Sequence, residues 1–157
     1  MTERDANLLG YLGVLPMAFA AFVLWLSPGV FSQAFAASYL QWTLYYAAII
    51  LSFMGGARWS LAMMSPEARP DEPLSGLLAA VIPALLAWAA AVPWTLVQAP
   101  YTARFGVLGL GFVLILVEDL RGARAGDSPA WYGALRGRLT FWVLLSLGFV
   151  LLKLIVG

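Results

Sequence analysis

Long apolar runs separated by short polar or charged segments fill most of this sequence. No charged residue lies between Asp5 and Arg58, and the turn-forming Ser27-Pro28-Gly29 divides that stretch in two. A helix needs about 20 mostly apolar residues to cross about 30 Å of hydrocarbon. The pattern therefore predicts five transmembrane helices, with a short interfacial start to the fifth at about 129–136; the spans lie at about 8–28, 38–64, 74–97, 101–120 and 137–156.

Composition restricts the class of protein further. Of the 157 residues, 62% are hydrophobic and 11% are charged, whereas soluble domains are roughly half apolar and about a quarter charged. The net charge of +1 and the mean hydropathy of +0.86 exclude a nucleic-acid binder with a basic face and a disordered chain. We therefore expect an all-α integral membrane helical bundle that forms one domain over residues 1–157.

The sequence lacks the side chains on which much site chemistry depends. It contains no cysteine and no histidine. Disulfides, thiolate or imidazole metal sites, histidine-ligated haem and histidine acid–base catalysis are therefore excluded. We expect no metal, no cofactor and no catalytic residues, and the balance is against an enzyme.

Basic residues predict the orientation of the bundle. With five spans, the side of the N-terminus carries seven of them: Arg4, Arg58, Arg69, Arg121, Arg124, Arg136 and Arg138. The other side carries Arg104 and Lys153. By the positive-inside rule, the N-terminus is cytoplasmic and the C-terminus is outside.

One layer of the predicted bundle concentrates ionisable residues. Arg58, Glu118, Asp119, Arg136 and Arg138 all fall near the cytoplasmic boundary. Adjacent residues point about 100° apart on a helix, so one of the two carboxylates can turn inward while its neighbour meets water. We expect Arg58 to be the first partner of the inward carboxylate and Arg136 or Arg138 the second. Two interpretations stay open: charges that anchor helix ends, or a functional polar cluster.

The second predicted helix carries a stripe of small residues. Ala48, Ser52, Gly56 and Ser60 are spaced four apart, and Gly55 deepens the groove. Small residues let a neighbouring backbone approach closely, which is how helices associate in lipid. Ordinary packing within the chain, a dimer interface and a substrate groove are the three interpretations of this helix-packing groove.

The segment before the fifth span has the composition of an interfacial anchor. Trp131 and Tyr132 follow Pro129 at a predicted helix start. Tryptophan and tyrosine are enriched where the membrane meets water, because one end of each ring is polar. We predict that both side chains lie at the interface.

Three stretches in this order and spacing carry a family resemblance: Leu9–Pro16 (LGYLGVLP), Ser52–Trp59 (SFMGGARW), and Pro129–Tyr132 (PAWY) with the following Leu135-Arg136 and Leu139-Thr140. Together they resemble the domain-of-unknown-function 3429 family, which includes transmembrane protein 69-like mitochondrial proteins. Ser60 stands where that family often has glycine. The resemblance covers the whole chain and implies a small multi-span protein of a bacterial or mitochondrial inner membrane. It implies no reaction.

Three classes of function remain open on this sequence. The first is a non-enzymatic interaction or assembly protein in the membrane, which binds another membrane protein or a second copy of itself. The alternative is a small-solute or ion transporter or channel with proline-kinked helices. The third is an enzyme that acts on a lipid or quinone with carboxylates as acid and base. The lipid bilayer is a partner in all three, and nucleic acid in none.

Overall fold

The computed structural model describes residues 3–64, 73–92, 99–126 and 128–157, and within those ranges it contains five α-helices and no strand. They are α1 Glu3–Trp25, α2 Gln33–Met64, α3 Pro73–Ala91, α4 Tyr101–Ala125 and α5 Ala130–Val156. The all-helical prediction is confirmed.

Several helices extend beyond the predicted spans, whereas α1 ends at Trp25, before the predicted end at about 28, and α3 ends at Ala91. Helices α1 and α2 begin at Glu3 and Gln33, before the apolar runs, and α4 continues to Ala125. Helix α5 starts at Ala130 and continues without a break through the region predicted to be interfacial. Hydropathy locates the part of a helix that suits lipid. The backbone hydrogen bonds of the same helix can continue beyond that part into the headgroup region and water. Residues 93–97, the predicted end of the third span, lie outside the described ranges.

The five helices close into a ring. Each helix packs against the next one in the chain, α5 returns to α1, and α2 also contacts α4. Gly10 of α1 lies against Leu139 of α5, and Gly111 of α4 lies against Leu51 of α2. Trp25 also bonds to Phe149, so α1 and α5 meet near their starts and near their ends and run parallel. Helices α2 and α4 run parallel too, because Gln41 meets Tyr101 near their starts and Arg58 meets Asp119 near their ends.

Apolar side chains fill the centre of the ring and also cover its outside. The largest fully buried side chains include Phe105, Phe112, Met17, Leu44 and Leu147. Each helix also exposes large apolar side chains. Examples, in order from α1 to α5, are Leu9, Phe53, Leu85, Leu110 and Phe149. Soluble proteins rarely carry contiguous apolar surface of this extent. The outer surface of this bundle therefore suits a hydrocarbon solvent.

Among the described residues, three helices are long and apolar enough to cross a membrane. They are Glu3–Trp25, Gln33–Met63 and Trp131–Val156. Leu77–Ala91 within α3 is also apolar but shorter. These lengths and compositions are those of membrane-spanning helices.

Candidate functional site

A buried carboxylate joins three helices near one end of the ring. Asp119 of α4 has a side chain that is only 1% exposed, and its Oδ2 accepts a hydrogen bond of 2.5 Å from Nε of Arg136 on α5. The Nε of Arg58, on α2, lies 3.7 Å from its Oδ1. Both arginine side chains are largely buried. We call Arg58, Asp119 and Arg136 the charged cluster.

The helical turn separates the two adjacent carboxylates. Glu118 points away from the cluster and forms a 2.5 Å ion pair with Nη1 of Arg121, one turn later on the surface of α4. Arg138 is exposed. The structure thus brings together three of the five ionisable residues selected from the sequence. It also gives the hydrogen bond to Arg136, whereas Arg58 was the expected first partner.

The charged cluster is electrostatically incomplete. Among the described residues, two guanidinium groups share this one carboxylate, which leaves one unit of positive charge within the cluster. Within the described part of the chain, Asp119 Oδ1 has no hydrogen-bond partner although it is buried. Removing charges from water costs several kcal/mol per ion, and hydrogen bonds offset that cost only where they are complete. The unbonded Oδ1 is an acceptor, so an anion cannot satisfy it; the donors available to an anion are the remaining N–H groups of the two arginines.

A cavity of about 260 Å³ lies beside the cluster, between α1, α2, α4 and α5. Arg136 and Thr140 are the polar side chains in its wall. The rest of the lining is glycine or apolar: Leu9, Gly10, Gly13, Val14, Ile50, Phe53, Met54, Phe112, Leu139 and Val143. Sequence reasoning did not predict this cavity. The available signal was Gly13, which leaves space on one face of α1, whereas the space at Gly10 is taken by Leu139 of α5.

The residues of the predicted helix-packing groove do not all face the same side: some pack inside the ring and others are exposed on its outside. A Cβ on Gly55 would meet the backbone oxygen of Ala80, on α3, at 2.7 Å. A Cβ on Gly56 would meet nothing within 4 Å. Ala48 is buried, Ser52 is half-buried and Ser60 is exposed. Close packing of α2 on α3 therefore uses Gly55, and the Gly56 side of α2 stays open.

The two aromatic residues at the start of α5 are both half-buried. The rings of Trp131 and Tyr132 lie 6.3 Å apart in an edge-to-face arrangement. The guanidinium of Arg136 lies 5.9 Å from the centre of the Tyr132 ring, within the range of a cation–π interaction. Tyr132 thus packs on the charged cluster, and its role as an interfacial anchor remains a prediction.

A second arginine lies at the opposite end of the ring. Arg104 of α4 donates from Nε to the backbone oxygen of Ala90 at 2.7 Å and from Nη2 to that of Ala91 at 2.9 Å. These oxygens belong to the last turn of α3, where carbonyl groups have no helical partner. The Tyr101 ring lies 5.4 Å from the same guanidinium, and the Tyr101 hydroxyl donates to Gln41 of α2. We call Gln41, Tyr101 and Arg104 the capped end.

The charged cluster, the apolar exterior and the span-length helices define a helical membrane protein with buried ion pairs. A family profile described as a protein of unknown function (DUF3429) matches residues 2–152, and the chain belongs to this family. The resemblance drawn from the three sequence stretches is confirmed.

Transmembrane protein 69 of Xenopus tropicalis is 33% identical to the chain over 146 residues. The match covers 92% of this chain and 52% of the frog protein, so the chain spans about half the length of that curated relative. No solved structure gives a significant match.

Proposed function

We propose that this protein crosses an inner membrane five times and acts by binding another membrane protein through one open face of α2. The five-span arrangement is supported by the ring, in which α3 and α4 pack among the three span-length helices. The basic residues favour an N-terminus in the cytoplasm, or in the matrix for a mitochondrial protein.

The observation that carries the proposed interaction is the contrast between two adjacent glycines. The space beside the Gly55 Cα is occupied by α3, whereas the space beside the Gly56 Cα is open. Ser60, one turn further, is exposed and turns its hydroxyl back to the Gly56 oxygen at 3.3 Å. Two small residues four apart on an exposed helix face allow close approach of a second helix in lipid. We call Gly56 and Ser60 the open face of α2.

The buried polar residues give less support to a transporter or channel. Apart from Asp119, the buried polar residues in the described ranges are Thr43, Thr140 and Ser146. Thr43 and Ser146 donate to carbonyls four residues earlier in their own helices, at 2.8 Å each. Thr43 and Ser146 therefore satisfy carbonyl groups of their own helices, and of the three residues Thr140 alone lines the cavity with Arg136. An enzyme acting on lipid or quinone would need Asp119 free, but both arginines engage it.

The decisive variant is Gly56→Ile, which fills the open face without touching α3. We expect it to abolish crosslinking in native membranes between α2 and its partner helix, while the melting temperature of the purified protein stays unchanged. Gly106→Ile is the matched control, because Gly106 of α4 is also exposed with nothing within 4 Å. Equal crosslinking in the parent and both variants would contradict the proposal.

The number of crossings has its own test. Reporters fused to the two ends of the chain should lie on opposite sides of the membrane, with the N-terminal one inside. Both reporters on the same side would mean an even number of crossings and would overturn the five-span arrangement.

A further inference from the structure

The cavity beside the charged cluster combines apolar walls with a cationic end. We propose that it is a lipid site, in which part of one acyl chain of an anionic phospholipid lies in the cavity and the phosphate contacts Arg136, the charged residue of the cavity wall. This inference rests on the proposed insertion of the bundle in a membrane, and it does not depend on the open face of α2.

The positive charge of the arginines favours an anion at the polar end of the site. In the described part of the chain, the cluster holds two guanidinium groups against one carboxylate, and Asp119 is too buried to be shared with solvent. An arginine has five N–H donors, and the hydrogen bond from Arg136 to Asp119 uses one of them. Phosphate oxygens match the planar donor fork of arginine. A phosphate here would balance the surplus charge.

The apolar lining of the cavity favours an acyl chain in the rest of the site. Val14, Phe112 and Val143 line the interior of the cavity, and Leu9 and Phe53 line it while remaining 63% and 73% exposed. These two side chains belong to the apolar outer surface, so the cavity opens towards hydrocarbon. A soluble anion gains nothing from such walls. The volume of about 260 Å³ is below the roughly 300–1,000 Å³ of drug-sized sites, so the cavity takes part of one acyl chain and the rest of the chain lies in the bilayer.

The position of the cavity along the bundle matches the depth at which a phospholipid lies in a bilayer. The cavity lies where α1 and α5 begin and α2 ends, at the same end as the charged cluster. A phospholipid of the corresponding leaflet has its phosphate at that level and its chains towards the middle of the bilayer. The lipid therefore enters from the side with no change of orientation.

The test measures bound lipid by native mass spectrometry of the full chain in detergent, with phosphatidylglycerol as the probe. We expect one tightly bound molecule per chain. Phosphatidylcholine with the same acyl chains should bind at least tenfold more weakly, because its head has no net charge. Inorganic phosphate alone should not bind.

Two pairs of variants locate the site. Val143→Phe fills the cavity, and Leu145→Phe, at an exposed position of the same helix, is its control. Arg136→Gln removes the phosphate contact, and the exposed Arg138→Gln is its control. We expect at least a tenfold loss of phosphatidylglycerol affinity in Val143→Phe and Arg136→Gln, and none in the controls.

Gly13→Leu fills the same cavity from α1 and replaces Val143→Phe if that variant fails to fold. The nearest atom to a Cβ at this position is the Tyr46 hydroxyl at 3.9 Å, so the first added carbon fits. Unchanged phosphatidylglycerol affinity in the cavity-filling variant would overturn the lipid site. Equal affinity for phosphatidylcholine, or binding of inorganic phosphate alone, would overturn it as well. Partner crosslinking that depends on Gly56 is measured separately, so failure of one proposal does not entail failure of the other.

Discussion

The charged cluster and the capped end hold arginines at opposite ends of the ring in different ways. At the cluster, Arg136 bonds to a carboxylate from another helix, and Arg58 lies near the same carboxylate. At the capped end, Arg104 bonds to the backbone oxygens that terminate α3. Helix ends carry about half a negative charge at the C-terminus, so a cation there needs no acidic partner. A basic residue in an apolar helix is therefore not by itself a sign of a buried ion pair.

The largest expected effect tests the cluster. Asp119→Asn removes the one negative charge between two arginines, and breaking a buried pair in this way typically costs about 3–5 kcal/mol. We expect a loss of that order in the free energy of unfolding, measured by tryptophan fluorescence in a detergent-to-SDS titration.

Glu118→Gln is the matched control for Asp119→Asn. Its partner Arg121 is 64% exposed, and exposed ion pairs contribute about 0–1 kcal/mol. Similar losses for the two variants would show that the inward and outward carboxylates do not differ as the structure indicates.

The next effect separates the two cations of the cluster. Arg136→Gln removes a 2.5 Å hydrogen bond to a charged group, and such bonds are worth about 1.5–3 kcal/mol. Arg58→Gln removes a contact of 3.7 Å and should cost less. The comparison uses the same SDS titration, and a larger loss for Arg58→Gln would make Arg58 the principal partner of Asp119.

The capped end should respond more weakly. Arg104→Gln keeps a hydrogen-bond donor but removes the charge at the C-terminus of α3, and such a charge is worth about 0.3–2 kcal/mol. We expect a loss in that range, smaller than that of Asp119→Asn. Hydrogen exchange should increase in the last turn of α3 and not at the cluster. Faster exchange around Asp119 would mean that the two ends are coupled.

The smallest effect concerns the tyrosine beside Arg104. Tyr101→Phe removes the hydroxyl that donates to Gln41 and keeps the ring, so we expect a loss of about 0.5–1.5 kcal/mol in unfolding free energy. Tyr45→Phe is the control, because Tyr45 is exposed at 42%. A loss for Tyr45→Phe as large as for Tyr101→Phe would show that the Gln41 contact is not what stabilises this end.

Part of the site was predictable because helical geometry is regular. Glu118 and Asp119 are adjacent, so they had to point in different directions, and only one of them could turn inward. Which one did so depends on the rotation of α4 in the ring. The same holds for Gly55 and Gly56: the sequence indicates a small-residue face, but a Cβ clash with Ala80 exists only once α3 is in position.

The carbonyl acceptors of Arg104 were beyond sequence reasoning for a different reason. Every residue carries a backbone oxygen, so no pattern of side chains marks the ones that a distant arginine will reach. The Tyr46 hydroxyl, which donates to the oxygen of Gly13 at 2.9 Å near the proline of α1, is a similar case. Such contacts depend on where helices end and how they are rotated.

The sequence by itself indicated an apolar surrounding for this protein and the five helices of its described residues, because both follow from the length and apolarity of consecutive residues. It also determined which side chains are available for chemistry. Only the tertiary structure decided that Asp119 is shared by Arg136 and Arg58, that Arg104 caps α3, and that a cavity opens beside the cluster. The physical reason is that apolar burial specifies which segments are helices in lipid, whereas pairing depends on rotations and distances between helices far apart in the chain.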